Sequence, residues 1–288
     1  MKQLLIISGK GGTGKTTLSG AFIHYAGAKA FADCDVDAPN LHLIKSHGRQ
    51  PKKTDFYGLP KAEIDSVRCT GCSLCTRYCA FNAIEKTNGK YNVLSMACEG
   101  CGVCELVCPQ GAVKMNPYVA GELMLSKENG VFSSAKLKTG SGNSGKLVSE
   151  VKKQLINESE DAELAIIDGS PGIGCPVIAS LSGVDLALIV AEPSVSGISD
   201  MERIVQTALP FGINIAVCVN KHDINAQMTD RIYLFCEENG IPFTGTIPYD
   251  EQAVAAVNSG ITIAETDCEA GRAAKKVFEN TISLLEEV

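Results

Sequence analysis

The sequence predicts an α/β protein with a doubly wound, mostly parallel sheet, interrupted by a small α+β insertion. Through most of the 288 residues, short and almost continuously apolar runs alternate with helical stretches, the pattern of strands covered by helices on both faces. Between about residues 61 and 117 this alternation stops, and a segment rich in Cys and Gly replaces it. We therefore predict a main domain in two segments, 1–60 and 118–288, around an inserted domain at 61–117.

The elements of the main domain follow from the apolar runs and the stretches between them. The predicted helices cover 17–26, 146–156, 199–208, 228–239 and 271–287. The predicted strands are Leu4–Ile7, Ala30–Ala32, Leu164–Ile167, Leu186–Ala191, Ile215–Val219 and Phe243–Ile247.

Composition and charge narrow the class of protein. Hydrophobic residues make up 45% and charged residues 20%, and no apolar run approaches the roughly 18 residues of a membrane span. A net charge of −7 without a Lys/Arg run argues against nucleic-acid binding, and the acidic C-terminus argues against stable association with anionic lipid. Thirteen cysteines, eight of them in two compact runs, fit metal clusters in a reducing compartment, so we expect a cytoplasmic protein.

A glycine-rich loop directly after the first strand matches the Walker A pattern. Its glycines let backbone N–H groups approach phosphate oxygens at the start of a helix, where the helix dipole favours an anion. Lys15 is predicted to contact the β- and γ-phosphates, and the Thr16 hydroxyl to ligate Mg²⁺. The predicted nucleotide-binding residues of this loop are Gly11, Gly12, Thr13, Gly14, Lys15, Thr16 and Thr17.

A second, partial match lies at 140–146. It lacks the Ser or Thr after Lys146, where Leu147 stands, and no strand precedes it. We interpret this stretch as a solvated loop leading into a helix.

With Lys10 present, the loop resembles the deviant Walker A of the family that contains MinD, ParA, Mrp and the nitrogenase iron protein. The resemblance implies the fold of that iron protein and a dimer that sandwiches the nucleotide, with Lys10 reaching the partner's nucleotide. It also implies that Asp35 positions the attacking water and helps hold Mg²⁺, and that Asp168 ends the Walker B strand and contributes to the same Mg²⁺ site. Lys10, Lys15, Asp35 and Asp168 are thus the predicted catalytic residues.

Asp33 and Asp37 are candidates either for the magnesium shell or for capping.

The resemblance extends to the nucleotide base. Asn220 and Pro248 fall where the family reads adenine, and they complete the predicted nucleotide-binding set. The run Asn220 to Asp223 comes close to a guanine-reading signature, but the overall resemblance favours ATP over GTP.

The insertion contains an internal repeat with an offset of 29 residues. Each copy has the spacing Cys-x2-Cys-x2-Cys-x3-Cys of bacterial ferredoxins, in which the fourth cysteine of each run ligates the other cluster. This resemblance implies one 4Fe-4S cluster on Cys69, Cys72, Cys75 and Cys108, and a second on Cys98, Cys101, Cys104 and Cys79. Zinc is the alternative metal, although it more usually takes two separated Cys-x2-Cys pairs.

Two features depart from these patterns. Ala80 stands where the ferredoxin run usually has Pro, as Pro109 does in the second copy. Cys175 lies seven residues after Asp168, at the offset of a cluster cysteine in the nitrogenase iron protein, but the second cysteine of that pair has no counterpart here. A structural thiol or a thiol beside a switch segment is the favoured interpretation of Cys175.

The leading functional hypothesis is a Mg-ATP-hydrolysing iron-sulfur protein that couples nucleotide state to electron transfer, with slow, partner-stimulated hydrolysis. The first alternative is an iron-sulfur carrier of the Mrp type, whose clusters are cargo. The second is a partitioning or scaffold ATPase with structural or sensory clusters. The expected partners are a second copy or a paralogue in the dimer, and a redox protein or an iron-sulfur acceptor.

Overall fold

The computed structural model describes residues 1–44 and 50–287 and has one large mixed sheet. That sheet has nine strands in the order β13-β12-β11-β1-β10-β2-β9-β8-β3. From β13 to β9 all neighbours are parallel, whereas β8 pairs antiparallel with β9 and with β3. Its strands are β1 (Lys2–Ile7), β2 (Ala30–Asp33), β3 (Lys52–Tyr57), β8 (Val119–Ser126), β9 (Val131–Leu137), β10 (Leu164–Asp168), β11 (Leu186–Ala191), β12 (Asn214–Asn220) and β13 (Phe243–Ile247).

The mostly parallel sheet confirms the predicted fold class in its coarse form, and all six predicted strands are present. Three strands were missed, all at one edge: β3, β8 and β9. Polar side chains hid them, because four of the six residues of β3 are exposed Lys, Thr and Asp, and Ser133 and Ser134 interrupt the apolar pattern of β9. Such strands lack the continuous apolar run that marks a strand buried on both faces.

Helices cover both faces of the sheet. Because successive side chains of a strand point to opposite faces, Leu5 and Ile7 of β1 enter one core while Leu4 and Ile6 enter the other. Helices α5 to α8 pack on the first face, and α1 and α10 on the second. The helices of the described residues are α1 (Lys15–Tyr25), α2 (Leu41–Ile44), α3 (Leu74–Tyr78), α4 (Val103–Leu106), α5 (Ser144–Glu158), α6 (Cys175–Leu181), α7 (Val195–Ala208), α8 (Ala226–Glu238), α9 (Glu251–Asn258) and α10 (Glu269–Glu286).

The Cys-rich segment forms two small antiparallel sheets of its own. Strand β4 (Lys61–Ile64) pairs with β7 (Val113–Asn116), and β5 (Ile84–Thr87) pairs with β6 (Lys90–Val93). Its apolar cluster combines cysteines with Ala62, Ile84, Tyr91 and Val113. The boundaries at 61 and 117 stay a prediction, and residues 45–49 of the predicted first segment lie outside the described residues. None of the described helices is long and apolar enough to span a bilayer.

Candidate nucleotide site and cysteine pockets

The phosphate loop, residues 8–14, connects β1 to α1. Gly12 and Gly14 have φ values of 81° and 89°, in the left-handed region that side chains with a Cβ disfavour. A Cβ at Gly14 would also collide with the side-chain amide of Asn220. Gly14 is the N-cap of α1 and offers no side-chain cap, so the first amides of the helix are available to an anion.

Lys15 and Thr16 meet Asp168 beneath this loop. Lys15 Nζ lies 2.6 Å from Asp168 Oδ1, and Thr16 Oγ1 donates a hydrogen bond of 2.7 Å to Asp168 Oδ2. The arrangement brings the end of β10 against the start of α1, because β10 neighbours β1 in the sheet. Ser19, one helical turn after Lys15, also donates to Asp168 over 2.8 Å, and sequence reasoning missed it. The sequence signal for Ser19 was its i, i+4 spacing from Lys15, which places the two side chains on the same face of α1.

Asp33 holds the chain that follows β2. Its carboxylate accepts hydrogen bonds from the backbone N–H groups of Asp35, Asn40 and Leu41 at 2.9–3.0 Å. Burial, reinforced by the nearby Asp168 charge, raises the pKa of Asp33 to about 7. These contacts are those of a capping residue, one of the two roles left open by the sequence. Asp37 is exposed.

Asp35 faces the phosphate loop. It lines one pocket together with Lys10, Thr16 and Pro171, and the remaining walls come from Ser8, Asn40 and residues 11–15 and 17. Burial is the largest influence on this carboxyl and raises its pKa, while Lys15 acts in the opposite direction. The structure therefore brings the predicted catalytic residues to one pocket or its immediate wall.

Lys10 is paired within its own chain. Its Nζ lies 2.8 Å from Glu192 Oε2, and Ser194 and Ser196 accept weaker hydrogen bonds from it. The other oxygen of Glu192 lies 2.9 Å from Lys221 Nζ, which also donates to the carbonyl of Gly12 over 3.0 Å. Burial disfavours the ionised form of Glu192, but hydrogen bonds from Lys10 and Lys221 outweigh it and hold its pKa below the ordinary value. Glu192 lies outside every motif and Lys221 was noted only as part of the guanine-like run, so their pairing with Lys10 and with the loop became visible only in three dimensions.

A second pocket adjoins the phosphate pocket and shares Gly12, Gly14 and Thr17 with it. Asn220 and Pro248 line it, as do Val254 and Val257 of α9. The side-chain amide of Asn220 donates to the carbonyl of Thr13 over 2.7 Å, which fixes this strand end against the loop. Asp223, the aspartate of the guanine-like run, accepts from the backbone N–H of Tyr249 over 2.7 Å.

The eight module cysteines line two separate pockets. Cys69, Cys72 and Cys75 share one of them with Cys108, and Cys98, Cys101 and Cys104 share the other with Cys79. Each pocket thus takes three cysteines from one run and the fourth from the other run. Equivalent backbone N–H groups, of Ala83 and Ala112, donate to Cys79 Sγ and Cys108 Sγ, both over 3.3 Å.

These thiols are not arranged around a single ion. In residues 1–44 and 50–287, no three Cys, His, Asp or Glu side chains are close enough to hold one metal ion. One zinc would draw four sulfurs to within about 4 Å of one another, because each Zn–S bond is about 2.3 Å. Each pocket is nevertheless lined by four cysteines, which is the number of ligands that one 4Fe-4S cluster takes. Burial opposes ionisation of Cys108, but the surrounding backbone N–H groups hold its pKa below the ordinary value.

Cys175 is exposed at the start of α6 and lies outside both cysteine pockets. A methyl group placed on Gly145 would lie 3.1 Å from the carbonyl oxygen of Cys175 and 3.2 Å from its Cβ. The thiol therefore lies where the segment after Asp168 meets the start of α5, which agrees with a position beside a switch segment.

Comparisons with known proteins identify relatives over most of the chain. Residues 4–263 match the family model described as the CobQ/CobB/MinD/ParA nucleotide binding domain. An uncharacterized protein of Methanocaldococcus jannaschii, MJ0578, is 30% identical over 287 residues. That alignment covers 96% of this chain and 95% of the relative. An iron-sulfur cluster carrier protein of the same organism is 26% identical over 49% of this chain and 54% of its own length.

Solved structures show the same fold. The septum site-determining protein MinD of Pyrococcus horikoshii, complexed with Mg-ADP, superposes with a TM-score of 0.58 at 17% identity. The superposition covers 98% of this chain and 96% of that one.

Proposed function

Because this chain belongs to the CobQ/CobB/MinD/ParA nucleotide-binding family, we propose that it hydrolyses Mg-ATP and couples the nucleotide state to electron transfer through two 4Fe-4S clusters. ATPases of the MinD/ParA type bind and hydrolyse ATP. The observation that carries the iron-sulfur half of the proposal is the division of eight cysteines into two pockets that each draw on both runs. That division matches the ligand exchange between two-cluster ferredoxin runs.

On the nucleotide side, the amides of the phosphate loop and Lys15 hold the phosphates. Thr16 Oγ1 and Asp168 Oδ2 lie 2.7 Å apart, so the hydroxyl would be a ligand of Mg²⁺ and the carboxylate would hold the ion through water. Asp35, at the rim of the same pocket, orients the attacking water. Asn220 and Pro248 line the pocket assigned to adenine.

Lys10 acts across a dimer in this proposal, which requires it to leave its present partner. Its ion pair with Glu192 lies within one chain, and both side chains are partly exposed at 34% and 20%. Partly exposed pairs of this kind contribute about 1 kcal/mol or less, so a phosphate from the partner's nucleotide competes easily for Lys10. Dimerisation thus exchanges an internal carboxylate for a phosphate.

On the cysteine side, the four cysteines of each pocket would hold one cluster, and a 4Fe-4S cluster would supply one-electron chemistry at low potential. The protein residues set the environment. The amides of Ala83 and Ala112 donate to the sulfurs that cross between the runs, and such hydrogen bonds stabilise the added negative charge of the reduced state.

The second candidate is an iron-sulfur carrier. It is supported by the 26% identity to an iron-sulfur cluster carrier protein, although that match covers 49% of this chain. In a carrier the cluster is cargo that leaves the protein, whereas in an electron-transfer protein it stays bound through many redox cycles.

Anaerobic purification followed by iron and sulfide analysis, reduction and EPR tests the proposal. We expect about eight irons per chain, because two 4Fe-4S clusters hold four each, and EPR signals that appear on reduction. Incubation with an apo-ferredoxin should leave the iron content unchanged. Bound zinc or redox-silent iron would overturn the proposal, and transfer of iron to the apo-ferredoxin would support the carrier instead.

A further inference from the structure

Residues 138–145, here called the bridging loop, follow β9 and include the first two residues of α5, and they touch three parts of the molecule. At the start of the loop, the backbone N–H of Leu137 donates to the carbonyl of Val36 over 2.8 Å. Val36 directly follows Asp35, so this hydrogen bond ties the loop to the segment that carries the proposed water-orienting residue. The bridging loop is thus anchored at one side of the phosphate pocket.

At its other end the bridging loop meets the segment that follows Asp168. Gly145 packs against the backbone and Cβ of Cys175, where a methyl group would already be in tight contact at 3.1–3.2 Å. Residues 169–174 run from Asp168 to this contact and pass Pro171, which lines the phosphate pocket. Gly172 has φ 98° and donates its N–H to the carbonyl of Ser8 over 3.0 Å. Both segments beside the phosphate pocket therefore reach the same loop.

The middle of the bridging loop faces the second cysteine run. A methyl group on Gly140 would lie 3.0 Å from Met96 Cε, and one on Gly142 would lie 3.3 Å from Glu99 Oε2. Met96 and Glu99 flank Cys98, a ligand in the second pocket. The same run is held from its other side, because Lys61 donates to the carbonyl of Cys98 and Gly100 packs against Leu59 and Pro60.

Helices α5 and α6 are packed against each other behind these contacts. Lys152 of α5 is buried and donates to the carbonyls of Ser180 and Ser182 at the end of α6. Leu147 and Val148 of α5 pack in one core with Val177 of α6. A displacement of the segment before α6 therefore shifts the start of α5 as well, since packed interiors transmit such shifts rather than absorb them.

We propose that the bridging loop transmits the nucleotide state from the two segments beside the phosphate pocket to the second cysteine run, and thereby makes the Cys98 pocket the nucleotide-responsive one. Loops beside a γ-phosphate and its Mg²⁺ commonly change order with nucleotide. Here the glycines at 140, 142 and 145 leave room for close approach, so a small displacement changes the packing around Met96 and Glu99. This inference rests on the proposed function.

The internal repeat supplies a matched control. Subtracting the offset of 29 residues places Val67 and Thr70 of the first run at the positions of Met96 and Glu99. Val67 is 92% exposed and Met96 is 71% exposed, so alanine substitution is tolerated at both. The test pair is therefore Met96→Ala with Glu99→Ala, and the control pair is Val67→Ala with Thr70→Ala.

Hydrogen exchange of the anaerobically purified, iron-loaded protein measures transmission directly. With Mg²⁺ and a non-hydrolysable ATP analogue, we expect a change of about fivefold or more in exchange rate at residues 96–101 of the wild type, which corresponds to a coupling energy of about 1 kcal/mol or more. The control pair should retain this change. The test pair should lose it while residues 169–174 still respond and the iron content is unchanged.

The outcomes separate the two proposals. An equal response of residues 96–101 in the test pair and the wild type would overturn the bridging loop as the route and leave the proposed function standing. A response of residues 67–72 as large as that of 96–101 would also overturn it. Absence of iron from the purified wild type would instead defeat the proposed function itself.

Discussion

The two cysteine runs share one spacing, but their surroundings differ. In the second run, Gly100 packs against Leu59 and Pro60, and Cys98 accepts a hydrogen bond from Lys61. At the equivalent position of the first run, a methyl group on Gly71 would meet nothing within 4 Å among the described residues. Spacing along the chain thus accounts for which sulfurs share a pocket, whereas the close contact with Leu59 and Pro60 exists at Gly100 and not at Gly71.

Removing nucleotide binding should erase any functional difference between the runs. Lys15→Ala deletes the charge that contacts the phosphates, and the loss of charge-assisted hydrogen bonds should weaken ATP binding about 100-fold or more. Calorimetric titration checks this. Lys10→Ala is the control within the same loop, since its side chain is paired with Glu192 and not with Asp168.

For Lys10→Ala we expect ATP affinity within about threefold of the wild type, with dimerisation and hydrolysis impaired. Sedimentation with Mg-ATP measures the dimer. Equal loss of ATP binding in the two variants would contradict the role of Lys10 across the dimer.

Removing one exposed cysteine from each run sharpens the comparison. Cys72→Ala and Cys101→Ala each take one ligand from one pocket, so each should lower the iron content from about eight to about four per chain. In Cys72→Ala, which keeps the Cys98 pocket, the EPR signal of the remaining cluster should change when nucleotide is added. In Cys101→Ala the remaining signal should not change. The reverse pattern in EPR spectra, a response to nucleotide in Cys101→Ala and none in Cys72→Ala, would show that the pocket of the first run is the nucleotide-responsive one.

The paired glycines test the packing difference without touching a ligand. Gly71 and Gly100 have φ values of 74° and 68°, so alanine introduces similar backbone strain at both. At Gly100 the new methyl group also collides with the Pro60 carbonyl, which should cost about 1–3 kcal/mol more in the free energy of unfolding. Denaturant unfolding measures the difference, and equal destabilisation would mean that the second run is not held against Pro60.

The last prediction concerns the pH dependence of stability through Lys152, whose hydrogen bonds tie α5 to α6. Burial lowers the pKa of this lysine to about 8 from 10.5. Between pH 8 and pH 10.5, Lys152 is protonated in the unfolded chain and mostly neutral in the folded chain. Because the unfolded state binds more protons, this lysine makes the free energy of unfolding rise with pH over that range. The rise amounts to at most about 3 kcal/mol.

Lys152→Met should therefore remove that part of the slope, which is measured as the difference between the unfolding curves of the two proteins from pH 8 to 10. Parallel pH dependence of variant and wild type would show that Lys152 keeps its ordinary protonation.

Prediction from sequence succeeded where the signal is local. The phosphate loop and the six parallel strands follow from apolar runs and glycine spacing. It failed where partners come from distant segments. Strands β3 and β9 carry polar residues, and Glu192 acquires its role only because β11 ends beside the phosphate loop and β12 brings Lys221.

The stretch at 140–146 illustrates the same limit. The sequence was interpreted as a solvated loop with no strand before it, and the second part was wrong, because β9 ends at Leu137. The glycines at 140, 142 and 145 also lie against Met96, Glu99 and Cys175. Nothing in the local pattern indicates such contacts, because glycine is equally common in turns that touch nothing.

A potentiometric titration followed by EPR, with and without Mg²⁺ and a non-hydrolysable ATP analogue, tests coupling of nucleotide to electron transfer most directly. A tenfold preference of the nucleotide for one redox state appears as a shift of about 59 mV in a one-electron couple. We predict a shift of this order in one of the two signals of the wild type, and none in Lys15→Ala. Titration curves of the wild type that superimpose with and without nucleotide would contradict the account.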